Sequence, residues 1–405
     1  MIDDRYTLGA LLGTGATSEV FSATDNKLRR QVAFKRLLSH TADDATVRRS
    51  FHREAQALAR IRHKNVVAVH DYSGQEEPTL YLVMDKIEGL SLAALIEQRG
   101  PIDEPFAWAI AHELANGLQA CHAVAVVHRD LKPENVILGK NGRLVLVDFG
   151  IARAYDDSGA VAASAGTQVM GTPDFMSPEQ VVSNELTGAS DVFSLGAVLY
   201  FLLTGKRPFA ADTMMATFKK LATVDCVPLR QARPAIDPAL AQLVSDCMQK
   251  EAAARPTDPA IAKRARERLQ ALGVTSDALL LGMASGGADL AEQLKERDLA
   301  NTLMRLDQAL ARNDKAEAQA LRRRVLELDP DNTQIFRVAP PAREPTASPT
   351  SPTSTVSVTA VEQERTVRLQ GTPTPSHLSR IVFGVGLMAA GFAVAWAAVH
   401  FGLLR

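Results

Sequence analysis

Asp130, Lys132, Asn135 and Asp148 are the side chains whose types and spacing most directly suggest chemistry. They lie in one stretch, His128-Arg129-Asp130-Leu131-Lys132-Pro133-Glu134-Asn135-Val136-Ile137-Leu138, followed by Leu144-Val145-Leu146-Val147-Asp148-Phe149-Gly150. Two short apolar runs, each able to form a buried strand, bracket a polar loop, and Asp148 closes the second run at a Phe-Gly turn. An amide and a carboxylate close together supply the hard oxygen donors that Mg²⁺ takes when it sits on a nucleotide. Asp130 is then left to accept a proton from an incoming hydroxyl. The arrangement suits phosphoryl transfer.

These residues must be positioned by the elements around them. Leu8 to Ala23 carries Gly13 and Gly15, the start of a Gly-x-Gly-x-x-Gly pattern with Ser18 in its third place. A dinucleotide fold would follow such a loop with a helix; Glu19-Val20-Phe21-Ser22-Ala23 reads instead as the return strand of a hairpin. Glycine lets backbone N–H groups approach phosphate without a Cβ in the way. In Val32-Ala33-Phe34-Lys35, strand alternation places Ala33 and Lys35 on one face and Val32 and Phe34 on the other. Downstream, Val47, Phe51, Leu58 and Ile61 trace one helical stripe with Glu54 in its middle. A carboxylate there is costly unless paired, and Lys35 is the expected partner.

His128 to Asn135 resembles the catalytic loop of the protein kinases, and Asp148-Phe149-Gly150 resembles their metal-binding turn. Lys132 and the Pro133-Glu134-Asn135 ending resemble the serine/threonine branch, its bacterial members in particular. Both motifs occur in order, a short hairpin apart, which makes the resemblance specific. It implies an α+β, two-lobed kinase fold with a small β-rich lobe and a larger helical lobe, using ATP and Mg²⁺ on protein substrates with Ser or Thr hydroxyls. Asn135 and Asp148 would hold the metal, Asp130 would receive the hydroxyl proton, and Lys132 would neutralise charge on the transferred group. Leu12, Gly13, Gly15, Ser18 and Val20 would surround the nucleotide, Ala33 would lie over the adenine, and Lys35, paired with Glu54, would meet the α- and β-phosphates. Leu80 to Met84 reads as a strand leading into a hinge, Asp85 to Gly89, where backbone groups of Asp85 and Ile87 would bind the adenine edge beside Met84.

The resemblance continues beyond the metal turn. Ile151 to Gly159, an Ala-, Ser- and Thr-rich stretch and Gly171-Thr172-Pro173-Asp174-Phe175-Met176-Ser177-Pro178-Glu179 resemble an activation segment. In that reading Thr172 contacts Asp130 and Lys132, and Arg129 is an unpaired cation until the segment carries phosphate. Ser164 or Thr167 is the expected phosphosite, modified in trans by a second copy in a homodimer. Asp191 would anchor the catalytic loop from below, and Arg255 would pair with Glu179. His63, His122 and His128 read as structural. The Gly171 to Glu179 stretch disfavours a small-molecule kinase. The rival from another class is a catalytically silent kinase-fold scaffold that binds nucleotide or partner proteins at a membrane.

The 405 residues carry a formal net charge of −1, which gives no sign of nucleic acid as a partner. Cys121, Cys226 and Cys247 are far apart in apolar contexts and read as reduced core thiols. Met1 to Arg5 lacks the basic start and apolar core of a signal peptide. We divide the chain into a kinase domain over 6–272, a helical region over 273–337, a Pro/Ser/Thr-rich disordered linker over 338–380 and a transmembrane helix over 381–403. Within the helical region, Leu299, Leu303, Leu306 and Leu310 form one stripe and Leu321, Val325 and Leu328 another, with a break at Asn313-Asp314, a hairpin that packs on the kinase or on a partner. The run Lys263 to Arg268 reads as a solvated helix face. Ile381 to Val399 holds no charged residue, close to the roughly 20 residues that span a bilayer. Arg365, Arg368 and Arg380 before it favour a cytoplasmic kinase domain, a single-pass protein with a C-terminal anchor.

Overall fold

The computed structural model describes residues 5–336 apart from 16, 39–44, 75–76, 151–172, 183–185 and 287. The chain divides into residues 1–341 and 342–405. The second unit, with the linker and the predicted transmembrane helix, lies outside the described residues, as do Ser164, Thr167 and Thr172. Among the described residues no helix is long and apolar enough to cross a membrane.

Strands β1 (Tyr6–Thr14), β2 (Ser18–Asp25) and β3 (Arg30–Leu37) lead to helix α1 (Ala45–Ala59), then β4 (Val69–Tyr72) and β5 (Tyr81–Asp85). They form one antiparallel sheet in the order β1-β2-β3-β5-β4. The alternation read in β3 is present. Val32 and Phe34 pack with Tyr6, Ala23 and Val83 on one face, and Phe34 stacks on Tyr81 at 4.9 Å. Ala33 and Leu37 join the larger core on the other. There they meet Val47, Phe51 and Leu58 from α1 and Ile61 just past it, all buried. Each such side chain contributes about 1.5–3 kcal/mol through burial.

After the hinge, β6 (Gly89–Ser91) opens the large lobe, and helices α2 (Leu92–Arg99) and α3 (Glu104–His122) follow. The Ser91 hydroxyl accepts from the Ala94 N–H and caps α2 at 3.1 Å. A single 3₁₀ turn, Pro133–Asn135, precedes β7 (Val136–Gly139) and β8 (Leu144–Leu146), which complete a three-stranded sheet with β6. Then come α4 (Pro178–Val182), α5 (Gly188–Thr204), α6 (Met214–Thr223), α7 (Leu229–Ala232), α8 (Pro238–Cys247) and α9 (Asp258–Ala271). A capping box of Thr187 and Ser190 starts α5, which is buried along most of its length. The basic run is the solvated face expected of it: Lys263 and Arg266 are exposed, and Arg264 and Arg268, partly exposed, pair with Asp246 and Asp237, each at 2.7 Å. Cys121 and Cys247 are buried free thiols, and Cys226 is half-buried.

Three further helices belong to the same unit: α10 (Ser276–Ser285), α11 (Ala288–Ala311) and α12 (Lys315–Leu328). Leu279, Leu280 and Met283 of α10 are buried in the large-lobe core. The β7–β8 turn can lie this close only because Gly142 has no side chain. Its φ is +78°, and a Cβ there would meet the Leu281 backbone at 2.6 Å. The α11–α12 pair is the expected hairpin, broken at Asn313 (φ +56°) and cored by Leu306, Ala309, Ala318 and Leu321. It rests on the large lobe: Arg305 donates to the carbonyls of Ala235 and Ile236 at 3.2 and 3.1 Å, and Arg324 reaches Asp103 at 3.0 Å.

Candidate active site

Backbone register brings the site together. Val136 pairs with Leu146 across β7–β8, and the Val147 N–H donates to the Asn135 carbonyl at 3.0 Å. Asn135, just before β7, and Asp148, just past β8, therefore leave the sheet at the same end. The loop before Asn135 is held from below, since both Asp191 carboxylate oxygens accept backbone N–H groups, from His128 at 2.7 Å and Arg129 at 2.9 Å. This is the anchoring expected of Asp191. Arg129 and Asp148 both sit in the left-handed region, at φ +64° and +57°, a conformation that costs a non-glycine residue about 1 kcal/mol and persists only where the surroundings enforce it.

Asp130 Oδ2 accepts from Lys132 Nζ at 2.9 Å and from Asn135 Nδ2 at 3.0 Å. The same amide nitrogen donates to the Asp130 carbonyl at 2.8 Å. Lys35, almost fully buried, makes an ion pair with Asp148. Burial works against the Asp148 charge, but Lys35 and then Lys132 hold its carboxyl below the usual carboxylate range. An ionised carboxylate next to an amide whose nitrogen is already engaged leaves oxygen donors, the ligand type Mg²⁺ accepts while keeping waters. Asn135 and Asp148 therefore fit that ion.

His128 is fully buried, and burial lowers its pKa from the usual histidine value. Its neutral ring donates from Nε2 to the Val147 carbonyl at 3.1 Å and lies 4.4 Å from the Phe149 ring. His63 accepts the Asn65 N–H at 3.2 Å within a turn. His122 bridges Asp191 at 2.8 Å and Asp258 at 2.5 Å. All three are structural, as expected. The Arg255–Glu179 pair is also present, at 2.7 Å with the Arg255 side chain fully buried.

Two expectations are overturned. Glu54 does not pair with Lys35: its Oε1 accepts from Arg129 at 3.1 Å, and Lys35 is taken by Asp148. For the same reason Arg129 is not an unpaired cation. Both changes follow from one rearrangement of charges, in which the lysine pairs with the metal-site carboxylate and the loop arginine neutralises the helix carboxylate. Burial raises the Glu54 pKa to about 7 despite Arg129, Arg53 and Lys35 nearby. No sequence signal gives this pairing, because Glu54 and Arg129 are far apart in the chain and either cation satisfies the buried carboxylate. The second partner of His122, Asp258, is likewise invisible in the sequence, since it reads only as an acidic residue opening α9.

The residues expected to face a nucleotide lie along the sheet. Gly13 pairs with Val20 in the β1–β2 hairpin, and Gly15 N–H donates to the Ser18 carbonyl at 2.7 Å, so the glycine loop is the predicted turn between strands. Leu12 is exposed near the hairpin tip, and Ser18 is buried at the start of the return strand. Val20 stands opposite Lys35, and Ala33 opposite Met84. In the hinge, the Asp85 N–H is already committed to the Ala68 carbonyl at 3.0 Å. Ile87 is half-buried against the core.

A five-stranded lobe, a helical lobe and two lysine–carboxylate pairs beside an amide make up the two-lobed arrangement of a protein kinase domain. The chain belongs to the protein kinase domain family, whose match covers residues 6–268. It is 37% identical over 252 residues to the serine/threonine-protein kinase PknB of Mycolicibacterium smegmatis, covering 62% of this chain and 40% of that protein. Over 222 residues it is 39% identical to a probable serine/threonine-protein kinase of Corynebacterium efficiens, covering 53% of this chain and 33% of the relative. The PknB of Mycobacterium leprae is 36% identical over 253 residues, 62% of this chain and 40% of its own length. The matched region thus spans well under half the length of these relatives.

Proposed function

We propose that this chain is a serine/threonine protein kinase that transfers the γ-phosphate of ATP to protein hydroxyls. The observation that carries the reading is the Asp130 carboxylate held between Lys132 at 2.9 Å and Asn135 at 3.0 Å, with Asp148 on the adjoining turn. Mg²⁺, when bound through Asn135 and Asp148, supplies charge neutralisation on the phosphates. Asp130 accepts the proton of the attacking hydroxyl. Lys132 shares that carboxylate and stabilises the negative charge of the group in transfer. Lys35 meets the α- and β-phosphates beneath the glycine hairpin, Ala33 lies over the adenine, and Met84 limits the depth of its pocket.

The charge pairing supports a resting form of this enzyme. Phosphate on the segment between Asp148 and Glu179, at Ser164 or Thr167, would offer Arg129 a dianionic partner. Glu54, released, would then pair with Lys35 and free Asp148 for the metal. A second copy supplies that phosphate in trans. The apolar run over 381–399 and the arginines before it support a C-terminal membrane anchor with the kinase unit on the cytoplasmic side.

The test is transfer of label from radiolabelled ATP with Mg²⁺ to the chain itself and to added proteins, with Asp130→Asn as control. Label on serine or threonine in the wild type and none in the variant is the expected result. Equal labelling of both, or of neither, removes the catalytic role. Mass spectrometry of the active protein with Ser164 and Thr167 both unmodified would remove the regulatory part, and release of the full chain from membranes by alkaline carbonate would remove the anchor.

A further inference from the structure

Gln180 sits in α4, one residue past the Glu179 that pairs with Arg255, and its amide is used at both ends. Oε1 accepts the Ser177 N–H at 2.9 Å, and Nε2 donates to the Arg129 carbonyl at 2.7 Å. The assignment of the two amide atoms is fixed by chemistry, since one faces an N–H and the other a C=O. The Arg129 carbonyl belongs to the peptide group that joins Arg129 to Asp130. Because that group is planar, holding its oxygen also sets the direction of the Asp130 N–H and the start of the Asp130 backbone.

Arg129 needs such a hold. It is in the left-handed region at φ +64°, and its two flanking peptide groups are gripped from opposite sides, the N–H by Asp191 at 2.9 Å and the carbonyl by Gln180. The Asp130 N–H itself reaches His128 Nδ1 only at a long 3.4 Å, while the Asp130 carbonyl accepts from Asn135 Nδ2 at 2.8 Å. The Asp191 grip comes from the large-lobe core, whereas the Gln180 grip comes from the segment Ser177 to Gln180, which Glu179 ties to Arg255 through contacts of 2.7 and 2.9 Å.

We propose that Gln180 is a positioning residue for Asp130: through the Arg129 carbonyl it makes the backbone of the proton acceptor depend on the end of the activation segment being seated. The inference rests on the kinase reading above. Glutamine suits the task because one side chain must both accept from Ser177 and donate to Arg129. Glutamate keeps the first contact and loses the second, setting a carboxylate against a carbonyl, and methionine keeps the shape and loses both.

The full chain carrying Gln180→Glu or Gln180→Met is compared with wild type, using the Asp130→Asn chain as protein substrate. Misplacing a reacting group by about 1 Å costs on the order of a hundredfold, so kcat is expected to fall about ten- to a hundredfold in both variants. The KM for ATP is expected to stay within about twofold, since no nucleotide contact changes. Amide hydrogen exchange of the 128–135 loop, read with or without activity, is expected to speed up in both variants while the rest of the large lobe is unchanged. Wild-type kcat in Gln180→Met, unchanged loop exchange in both variants, or exchange that rises uniformly with a lowered Tm would each overturn the proposal. Absence of transfer by the wild-type chain would count against the kinase reading instead, and the loop exchange would still decide whether Gln180 holds the loop.

Discussion

Replacing Glu54 by glutamine tests the electrostatics of the cleft without removing a side chain. The Glu54 carboxyl, 18% exposed, has its pKa raised from 4.5 to about 7, chiefly by burial. The folded state therefore holds this proton more tightly than the unfolded chain. The resulting stabilisation is fully present below about pH 4.5 and is lost as the pH rises through about 7. A shift of about 2.5 units at 1.36 kcal/mol per unit is about 3 kcal/mol over the whole window, most of it between pH 5 and 8. Glu104 is raised to about 7 as well, so the informative quantity is the difference between variant and wild type. Urea unfolding at pH 5 and pH 8 is expected to show wild type losing about 2 kcal/mol more than Glu54→Gln over that interval. The amide still accepts from Arg129, so at pH 8 the variant should be the more stable of the two. It cannot form an ion pair with Lys35, so its phosphate transfer should fall even as stability rises. A variant that is less stable at pH 8, or that keeps the wild-type pH slope, would refute the claim that Glu54 is a poorly compensated buried acid.

Other contacts give sharper single outcomes. His122, raised to about 9 by Asp191 and Asp258 against the opposing effect of burial, contributes stability that is complete below about pH 6.5 and lost as the pH rises through about 9. His122→Gln should remove about 3 kcal/mol at pH 6 and much less at pH 10, by denaturant unfolding. Arg255→Ala leaves Glu179 buried without its cation and should cost about 3–5 kcal/mol, visible as a large drop in Tm. Lys64→Met takes the cation from Glu113, which is 2% exposed and otherwise bonded only to Ser276 among the contacts described. That should cost about 2 kcal/mol, and the loss should shrink in Lys64→Met combined with Glu113→Gln.

The motifs located the cleft because each chemical role needs a particular group at a fixed offset along one strand or loop. Asn135 and Asp148 flank a hairpin whose register is local, and Ala33, Lys35 and Val20 share a sheet face through the period-two alternation of strands. The anchoring of the loop by Asp191 and the Glu179–Arg255 pair followed from the family pattern. The failures occurred where several partners could satisfy the same charge. A buried glutamate on the α1 stripe calls for a cation, and Lys35 and Arg129 both qualify, so spacing cannot choose between them. The role of α10 was illegible for another reason. Its Leu279, Leu280 and Met283 carry no motif, and only the glycine turn at Gly142 shows how closely it seats.

The switch proposed above would start from charges that are only partly compensated. Arg129 already lies beside this carboxylate, yet the pKa remains near 7, so the existing pair compensates the buried charge only in part. Lys35 is also committed, since its ion pair stabilises the charge of the Asp148 carboxylate. Moving Lys35 to Glu54 would therefore compensate one buried acid and leave the Asp148 carboxylate for a divalent ion to neutralise. Arg129, in turn, would lose one carboxylate oxygen and need another anion. Each proposed step would vacate the site the next one fills, so metal on Asp148 and phosphate near Arg129 would be coupled in sign. Either one alone would leave a charge of the cleft without a partner, whereas the two together would leave none.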